Sequence, residues 1–238
     1  MIQLQAAGVT DVGLRRQANE DSILLRDDVS LWAVADGMGG HQGGQWASEQ
    51  VRAALERLVL TEDFDDNFRK IGQTVHAANA AIDAAGQKAG AVMGTTVAIL
   101  HSLGSRFAIF WAGDSRVYLH RQGQLCRMTT DHTQVQELID SGILTPQEAQ
   151  VHPSRHILSR AVGAAPALTL DAIVDELEVH DRFLLCSDGL TGVVSESEIS
   201  EHMQKVPPNE AAEALLKLTL ARGAPDNVTI VVVASESP

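Results

Sequence analysis

The chain has 238 residues, 45% of them hydrophobic, and its 18 basic and 31 acidic residues give a formal net charge of −13. This charge repels nucleic acid and anionic lipid at long range, so it argues against nucleic-acid partners and favours cation binding by clustered acids. The length, without a Pro/Gly/Ser-rich linker or an internal repeat, predicts a single domain over residues 1–238.

The first residues, MIQLQAAGVTDVG, lack the basic and apolar regions of an export signal. No apolar run approaches the roughly 20 residues that a membrane-spanning helix needs. Cys126 and Cys186 lie in strand-like apolar runs and suggest neither a disulfide framework nor a zinc site. We therefore expect a cytoplasmic protein without membrane insertion.

The first half of the chain predicts one buried strand and two amphipathic helices. The apolar run at residues 31–35 is typical of a buried strand, and a glycine-rich loop follows it. Residues 46–60 and 64–85 then place apolar side chains at steps of three and four, which indicates helices with one buried face. We expect the two helices to pack as a pair against a sheet.

Closely spaced strands follow. They are predicted at residues 95–100, 107–111, 116–119, 125–128, 168–174, 182–186 and 228–234. Gln122-Gly123 forms the turn of a hairpin, and helices are predicted at 196–205 and 209–221. The segment 131–163 reads as short helices and loops, with a capping box formed by Thr145 and Glu148 around Pro146. The short strand connections favour antiparallel pairing and hence an α+β layered fold.

Four of the apolar strands carry an aspartate at one end: Asp36, Asp114, Asp188 and Asp226. A single Asp-Gly or Asp-Asn pair is usually only a turn. The repetition at four strands is more informative, because an acid at the end of a buried strand needs a compensating charge. Near the N-terminus, the adjacent acids Glu20 and Asp21 add to the same pattern.

If these strand ends converge, their mutual repulsion requires cations. Oxygen ligands without cysteine or a close histidine pair select Mg²⁺ or Mn²⁺ over Zn²⁺. Several carboxylates around one pocket suit a two-metal site that activates water for attack on phosphorus. Arg16, just upstream of Glu20, is a candidate for gripping a phosphate; a solvated surface arginine is the alternative.

Other phosphate and metal motifs are absent from the sequence. The stretch GMGGHQGG lacks the Lys-Ser/Thr of a P-loop, and Gln42 stands where a dinucleotide-binding fold needs its third glycine. The sequence also contains no EF-hand loop, no His-Glu-x-x-His and no Gly-x-Ser-x-Gly.

Six short motifs occur in an order that resembles a known family. They are GLRRQANEDS, VADGMGGHQGG, GTTV, AGDSR, LLCSDGL and DNVTIVVV. In this order they are similar to the metal-dependent Ser/Thr protein phosphatases of the PP2C (PPM) family, over about residues 10–233. The Met in DGMGG and the small size resemble freestanding bacterial members.

The resemblance implies a four-layer α-β-β-α sandwich, in which two antiparallel sheets are flanked by helix pairs. It also implies two Mn²⁺ or Mg²⁺ ions in the core site, with a third ion at Asp114 and Asp188. Arg16 would hold the substrate phosphate, while Asp21 and Asn227 would orient ligands from behind. The implied metal ligands are Glu20, Asp36, the carbonyl of Gly37, Asp114, Asp188 and Asp226.

The implied reaction is direct in-line attack of metal-activated water on a phosphomonoester, without a phosphoenzyme. Cys186 and Ser187 are then read as strand packing. Many eukaryotic relatives have a histidine after the Asp-Gly to protonate the leaving alkoxide, but this chain has Met38, which cannot donate a proton. His41 is the candidate substitute; a structural hydrogen-bond donor is its alternative role.

The implied substrates are phosphoserine and phosphothreonine proteins, including those of a cognate bacterial Ser/Thr kinase, and the enzyme is expected to be a monomer. Residues 131–163 correspond to the flap beside the active site, which either reads substrates or simply covers the fold. A phosphodiesterase or small-molecule phosphomonoesterase is a second enzymatic reading, and a non-catalytic binding protein is a third.

Overall fold

The computed structural model describes residues 2–39, 42–204 and 206–237. Within these ranges the strands form two antiparallel sheets. Sheet A consists, in spatial order, of β1 (Gln3–Asp11), β11 (Val228–Glu236), β10 (Arg182–Cys186), β7 (Arg116–Arg121) and β8 (Gln124–Arg127). Sheet B consists of β2 (Asp21–Arg26), β3 (Leu31–Met38), β5 (Val97–Leu103), β6 (Arg106–Ala112) and β9 (Asp171–Glu176), with the short β4 (Gly94–Thr95) paired to β3.

Helices cover the outer faces of both sheets. Those against sheet B are α1 (Gln42–Glu56) and α2 (Phe64–Ala89). Those on the side of sheet A are α5 (Asp188–Thr191), α6 (Glu196–His202) and α7 (Pro208–Ala221). Between β8 and β9 lie α3 (Gln134–Asp140) and α4 (Pro146–Gln150). No helix in the described ranges has the length and apolar character to cross a bilayer.

The core follows from the alternation of side chains along the strands. In β3, Trp32 and Val34 face the interior between the sheets, whereas Leu31 and Ala33 pack under α1 and α2. In β10, Phe183 and Leu185 likewise face the space between the sheets, and the alternate residues contact the helices on the other side. Strands buried on both faces, with three apolar layers between four structural layers, confirm the predicted α-β-β-α sandwich.

Most predicted elements occur within a few residues of their expected bounds. The helix predicted at 64–85 continues to Ala89 and ends at Gly90, whose left-handed backbone (φ 65°) supplies the C-cap. The hairpin turn at Gln122-Gly123 also has positive φ at both positions. The capping box of Thr145 and Glu148 is present at the start of α4.

Other elements differ from the sequence interpretation. Strands β1 and β2 were not predicted, because β1 is only half-buried and shows weak alternation. Cys126 lies in a strand as expected, but it is exposed on the edge strand β8. Helix α6 ends at His202, and the last residue of the predicted helix, Lys205, lies outside the described residues.

The register of the strands brings several of their ends to one place. The first residue of β2, Asp21, lies opposite Asp36 near the end of β3. In sheet A, Cys186 at the end of β10 pairs with Ile230 near the start of β11. Since the sheets are packed face to face, both pairs of ends open at one end of the sandwich, and they form the walls of the candidate site.

Candidate active site

Asp36 is held rigidly by its backbone. Its carbonyl accepts hydrogen bonds from the Thr96 N–H at 2.8 Å and from the Thr95 hydroxyl at 2.9 Å. Its own N–H donates to Thr96 Oγ1 at 3.0 Å. Thr95 at the end of β4 and Thr96 just before β5 thus satisfy the backbone of Asp36, and its half-buried side chain is left at the end of the sandwich.

The acids of sheet A lie on two tight connections. Asp188 is the first residue of α5, separated from β10 by Ser187 alone, and Asp226 stands two residues before β11. The two connections pack tightly at Gly189, where a Cβ would lie only 1.9 Å from the Asn227 carbonyl oxygen. Glycine is therefore required for the turn carrying Asp188 to pack against the turn carrying Asp226.

Asn227 ties the N-terminal loop to the same place. Its Nδ2 donates to the carbonyls of Val12 and Ala18, each at 2.9 Å, and its Oδ1 accepts the Glu20 N–H at 2.8 Å. The loop so held carries Arg16, whose Nη2 donates to Asp226 Oδ2 at 2.6 Å. The Arg16 side chain is 55% exposed, so this guanidinium lies at the edge of the acidic cluster and in contact with solvent.

The glycine-rich motif allows β3, the Glu20 turn and α1 to approach closely. A Cβ on Gly44 would lie 2.1 Å from Glu20 Oε2, and one on Gly37 would lie 2.3 Å from the Gly44 carbonyl oxygen. The Gly37 N–H and the Ser48 hydroxyl both donate to the Glu20 carbonyl, at 3.2 and 2.6 Å. The two glycines are thus explained by the close approach of the Glu20 turn to the start of α1.

Asp114 follows β6 and Gly113, whose φ of +109° suits glycine. The His132 side chain holds this turn: its Nδ1 accepts the Gly113 N–H at 3.1 Å. Nearby, Arg116 binds Asp131 through two guanidinium nitrogens, with Nε to Oδ1 at 2.9 Å and Nη2 to Oδ2 at 2.6 Å. Asp131 therefore has its counter-charge within the chain, whereas Asp114 does not make such a pair among the described residues.

The electrostatics show that these acids lie close to one another. Burial raises the pKa of Asp36 well above its usual range, and the carboxylates of Asp21, Asp188, Asp114 and Asp226 raise it further. Burial and then Asp188 raise the pKa of Asp114 to about 8. Burial followed by Asp226 raises the pKa of Asp188, although nearby basic groups oppose the shift. Charge repulsion of this kind is relieved by protons or by bound cations.

The donor set fits a hard divalent cation. The converging side chains offer only oxygen atoms, and Asp21, 8% exposed, has a buried Oδ1 without a hydrogen-bond partner among the described residues. In their present rotamers, no three His, Cys, Asp or Glu side chains of the described ranges form a ready metal cage. One carboxylate oxygen of Asp226 is hydrogen-bonded to Arg16. A backbone carbonyl such as that of Gly37 would add a ligand that is not a side chain. The site therefore brings the donors together without closing them around one point.

The protein phosphatase 2C model matches residues 14–222. The chain belongs to the PP2C family. Among curated proteins it is 42% identical over 234 residues to the serine/threonine protein phosphatase PstP of Mycobacterium tuberculosis, covering 96% of this chain. It spans only 44% of the length of PstP, less than half of that protein.

Two solved structures of PP2C type extend the comparison. The catalytic domain of PstP in complex with two manganese ions superposes with a TM-score of 0.89 at 38% identity, covering 100% of both chains. PppA of Pseudomonas aeruginosa superposes with a TM-score of 0.92 at 34% identity, covering 98% of this chain and 97% of PppA. These likenesses confirm the family resemblance and the fold.

In this PP2C chain the segment from 131 to 163 lies against the acidic cluster. His156 Nδ1 stands 4.0 Å from Asp188 Oδ2, and the His156 side chain is 64% exposed. At the base of the segment, Arg160 Nη1 donates to Asp171 Oδ1 at 2.8 Å. The flap is thus anchored to β9 at its base and reaches the cluster through His156.

The structure describes Met38 but not His41, the two residues that the sequence analysis considered for protonating the leaving group. Met38 ends β3 and lies opposite Gly94 of β4. His41, the predicted proton donor, lies outside the described residues. Its role stays a prediction from the sequence.

One residue of the site was missed by the sequence interpretation. Ser187 was read as strand packing, yet its hydroxyl donates to Asp21 Oδ2 at 2.8 Å. The available signal was its position directly before Asp188, because a polar residue at the end of an otherwise apolar strand needs a buried partner.

Proposed function

We propose that this chain is a metal-dependent serine/threonine phosphoprotein phosphatase. The observation that carries the proposal is the meeting of acids from both sheets beside the half-exposed Arg16. Acids from distant parts of the sequence lie close enough to raise one another's pKa, with Arg16 bound at their edge. Membership of the PP2C family and the manganese-containing PstP structure support this assignment.

The metal ligands proposed are Glu20, Asp36, the Gly37 carbonyl, Asp188 and Asp226, with Asp114 and Asp188 at a weaker third site. Two Mn²⁺ or Mg²⁺ ions would, when bound, neutralise these carboxylates and activate water for in-line attack on a phosphomonoester without a phosphoenzyme. Asp21 and Asn227 would orient the ligands without binding the metal themselves. Asn227 holds the turn that carries Glu20, and Asp21 lies beside Asp36.

Arg16 is the proposed phosphate-binding residue. Its guanidinium can exchange the exposed contact with Asp226 for the non-bridging oxygens of a phosphate, because more than half of the side chain faces solvent. A planar guanidinium binds two phosphate oxygens at once, and its charge opposes the negative charge of the transferring group. Arg16 would therefore both orient the phosphate and stabilise it during transfer.

Protonation of the leaving alkoxide requires another group, because Met38 has no proton to give. We keep His41 as the candidate, since it follows the Asp-Gly motif within three residues of Met38. The alkaline limb of the pH–rate profile, on which a required proton donor loses its proton, should disappear in His41→Ala. An unchanged limb would remove His41 from the mechanism.

The proposed substrates are phosphoserine and phosphothreonine proteins, and the proposed physiological setting is reversal of a cognate Ser/Thr kinase by a monomeric enzyme. The relative PstP is named a serine/threonine protein phosphatase. We further propose that the flap over residues 131–163 selects among phosphopeptides. Exchanging it for that of a relative should change peptide preference without changing turnover of an aryl phosphate.

The assignment is tested by turnover of four substrates with Mn²⁺, with Mg²⁺ and with chelator. They are an aryl phosphate, a phosphothreonine peptide, a phosphate diester and a phosphorylated metabolite. We expect metal-dependent hydrolysis of the aryl phosphate and the peptide, and its loss in Asp188→Ala. Preferred turnover of the diester or the metabolite would favour the other enzyme classes, and no turnover at all would favour a binding protein.

A further inference from the structure

The candidate metal centre is divided between two sheets. Asp21 and Asp36 belong to sheet B, whereas Asp188 and Asp226 lie on connections of sheet A. Ligands on separate sheets keep a common geometry only if contacts across the interface hold the sheets in register. The apolar side chains between the sheets provide packing, but they do not direct a carboxylate.

The Ser187 hydroxyl makes such a directed contact. Ser187 is fully buried directly after β10, and its Oγ–H donates to Asp21 Oδ2 at 2.8 Å across the interface. The Ser187 Oγ also accepts a hydrogen bond from the Thr229 N–H at 3.0 Å, and the Ser187 N–H donates to the Thr229 carbonyl at 3.0 Å. Since a hydroxyl has one proton and the Thr229 N–H occupies a lone pair, that proton is directed to Asp21.

This contact orients the Asp21 carboxylate, on which the Thr229 side chain also acts. The other oxygen of Asp21, Oδ1, is buried and has no hydrogen-bond partner within the described part of the chain. The Asp21 N–H is in turn held by Asn19 Oδ1 at 3.1 Å. Ser187 therefore acts with the Thr229 side chain to set how Asp21 lies beside Asp36, and it does so from the residue next to Asp188.

We propose that Ser187 is a positioning residue of the metal centre, whose hydroxyl joins the Asp21 half of the site to the Asp188 half. This inference rests on the proposed metal-dependent function. Asn227 makes the corresponding connection through backbone atoms of the N-terminal loop. Ser187 makes it between a side chain and a carboxylate, so its removal should affect metal binding more than folding.

The chain offers a matched control in Ser235. This serine is also buried (2% exposed), and its hydroxyl donates to the Glu178 carbonyl at 2.7 Å. It lies near the other end of β11, so it is remote from the acids of the site. A buried serine with a purely structural role should behave as Ser235 does.

The test is calorimetric titration of Mn²⁺ into metal-free wild type, Ser187→Ala, Asp21→Ala, the double variant and Ser235→Ala, with folding monitored by circular dichroism. We expect Ser187→Ala to weaken Mn²⁺ binding by about 10- to 100-fold, the range for residues that orient metal ligands. The double variant should bind no more weakly than Asp21→Ala, because both single changes remove the same hydrogen bond. Ser235→Ala should bind Mn²⁺ as wild type does.

Three results would overturn the inference: unchanged Mn²⁺ affinity in Ser187→Ala, additive effects in the double variant, or an equal loss in Ser235→Ala. Ser187→Cys, which places a weaker donor in the same position, gives a second measurement and should also bind more weakly. If neither Ser187 variant folds, the hydroxyl serves stability and the inference is wrong. Failure of wild type to bind Mn²⁺ would instead contradict the proposed function itself.

Discussion

The acids at the two ends of strand β10 differ in how their charge is balanced. Just before the strand, Asp181 is 1% exposed and accepts two hydrogen bonds from the Arg121 guanidinium, each at 2.7 Å, and one from the Glu178 N–H. After the strand, Asp188 joins a cluster of acids in which Arg16 pairs with Asp226 and the exposed His156 lies 4.0 Å from Asp188. The acid at the first end has its counter-charge in the chain, whereas the acids at the other end need cations from solution.

This difference separates structural from functional acids on physical grounds. Replacing an acid of the Asp188 cluster should abolish activity and relieve repulsion between the carboxylates. Replacing the paired acid should cost stability and leave the chemistry intact. The predictions below test that contrast, beginning with the largest effect.

Replacement of Asp36 should cause the greatest loss. We expect Asp36→Asn to lower kcat for an aryl phosphate by on the order of 10³-fold, because the carboxylate is central to the cluster and charge stabilisation is lost. The same variant should be at least as stable as wild type without metal, since its repulsion with neighbouring acids is removed. Steady-state kinetics and urea unfolding give the two values; activity within 10-fold of wild type would rule out a central role for Asp36.

Arg16 should show the next effect, with its neighbour Arg15 as control. Arg16→Ala should lower kcat/KM by about 10²-fold through loss of a charged contact to phosphate, and Arg16→Lys should restore only part of it. Arg15 is exposed, and Arg15→Ala should change kcat/KM by less than about 2-fold. Equal effects at both positions would mean that general positive charge, rather than the placed guanidinium, attracts the substrate.

At the paired end of β10, Asp181→Ala should destabilise the fold by about 3 kcal/mol, because it takes from the partly buried Arg121 its buried partner and leaves it only the more exposed Glu178. The specific activity of the folded fraction should not change. Denaturant unfolding and active-site titration measure these quantities. A large drop in kcat at full folding would show that the two ends of the strand are not separable as argued.

The pH dependence of stability should also differ between metal-free and metal-loaded protein. The pKa of Asp21 is raised to about 7 and that of Asp114 to about 8, chiefly by burial. Because these raised values mean that the folded state holds more protons than the unfolded state, stability falls as pH rises from about 4 to about 8. The Tm of metal-free protein should thus be lower at pH 8 than at pH 6, by about 2–4 °C for each kcal/mol lost.

Saturating Mn²⁺ should remove or reverse that trend, since metal binding requires the deprotonated acids. Scanning calorimetry at both pH values, with and without Mn²⁺, provides the comparison. If the Tm of the metal-free protein rose between pH 6 and pH 8, the pKa values of these acids would not be raised by burial and by one another, and the account would be wrong.

The fold was largely predictable because its signals are local. Continuous apolar runs such as residues 182–186 have few alternatives to a buried strand, and the capping box at Thr145 is a complete signal within four residues. Strand β1 was missed because it is half-buried, and its place is decided by pairing with β11 more than 200 residues away. Such long-range pairing leaves little trace in the local pattern.

The candidate site was predictable in its acids and not in their supports. Asp36 and Asp188 stand out as charges at the ends of apolar runs, and the family motifs supplied proposed roles for them. Ser187 does not stand out, because its partner Asp21 lies 166 residues away. Asn227 was named through the family resemblance, but its contacts with the Glu20 turn become visible only in the folded chain.

The central claim is that the acids gathered from both sheets bind divalent metal, and one measurement tests it most directly. Crystals of the protein soaked in Mn²⁺ should show two anomalous-scattering peaks among Asp36, Asp188 and Asp226, with a weaker third peak between Asp114 and Asp188. A soaked crystal with no peak among these carboxylates, or with manganese bound only elsewhere on the surface, would contradict the account.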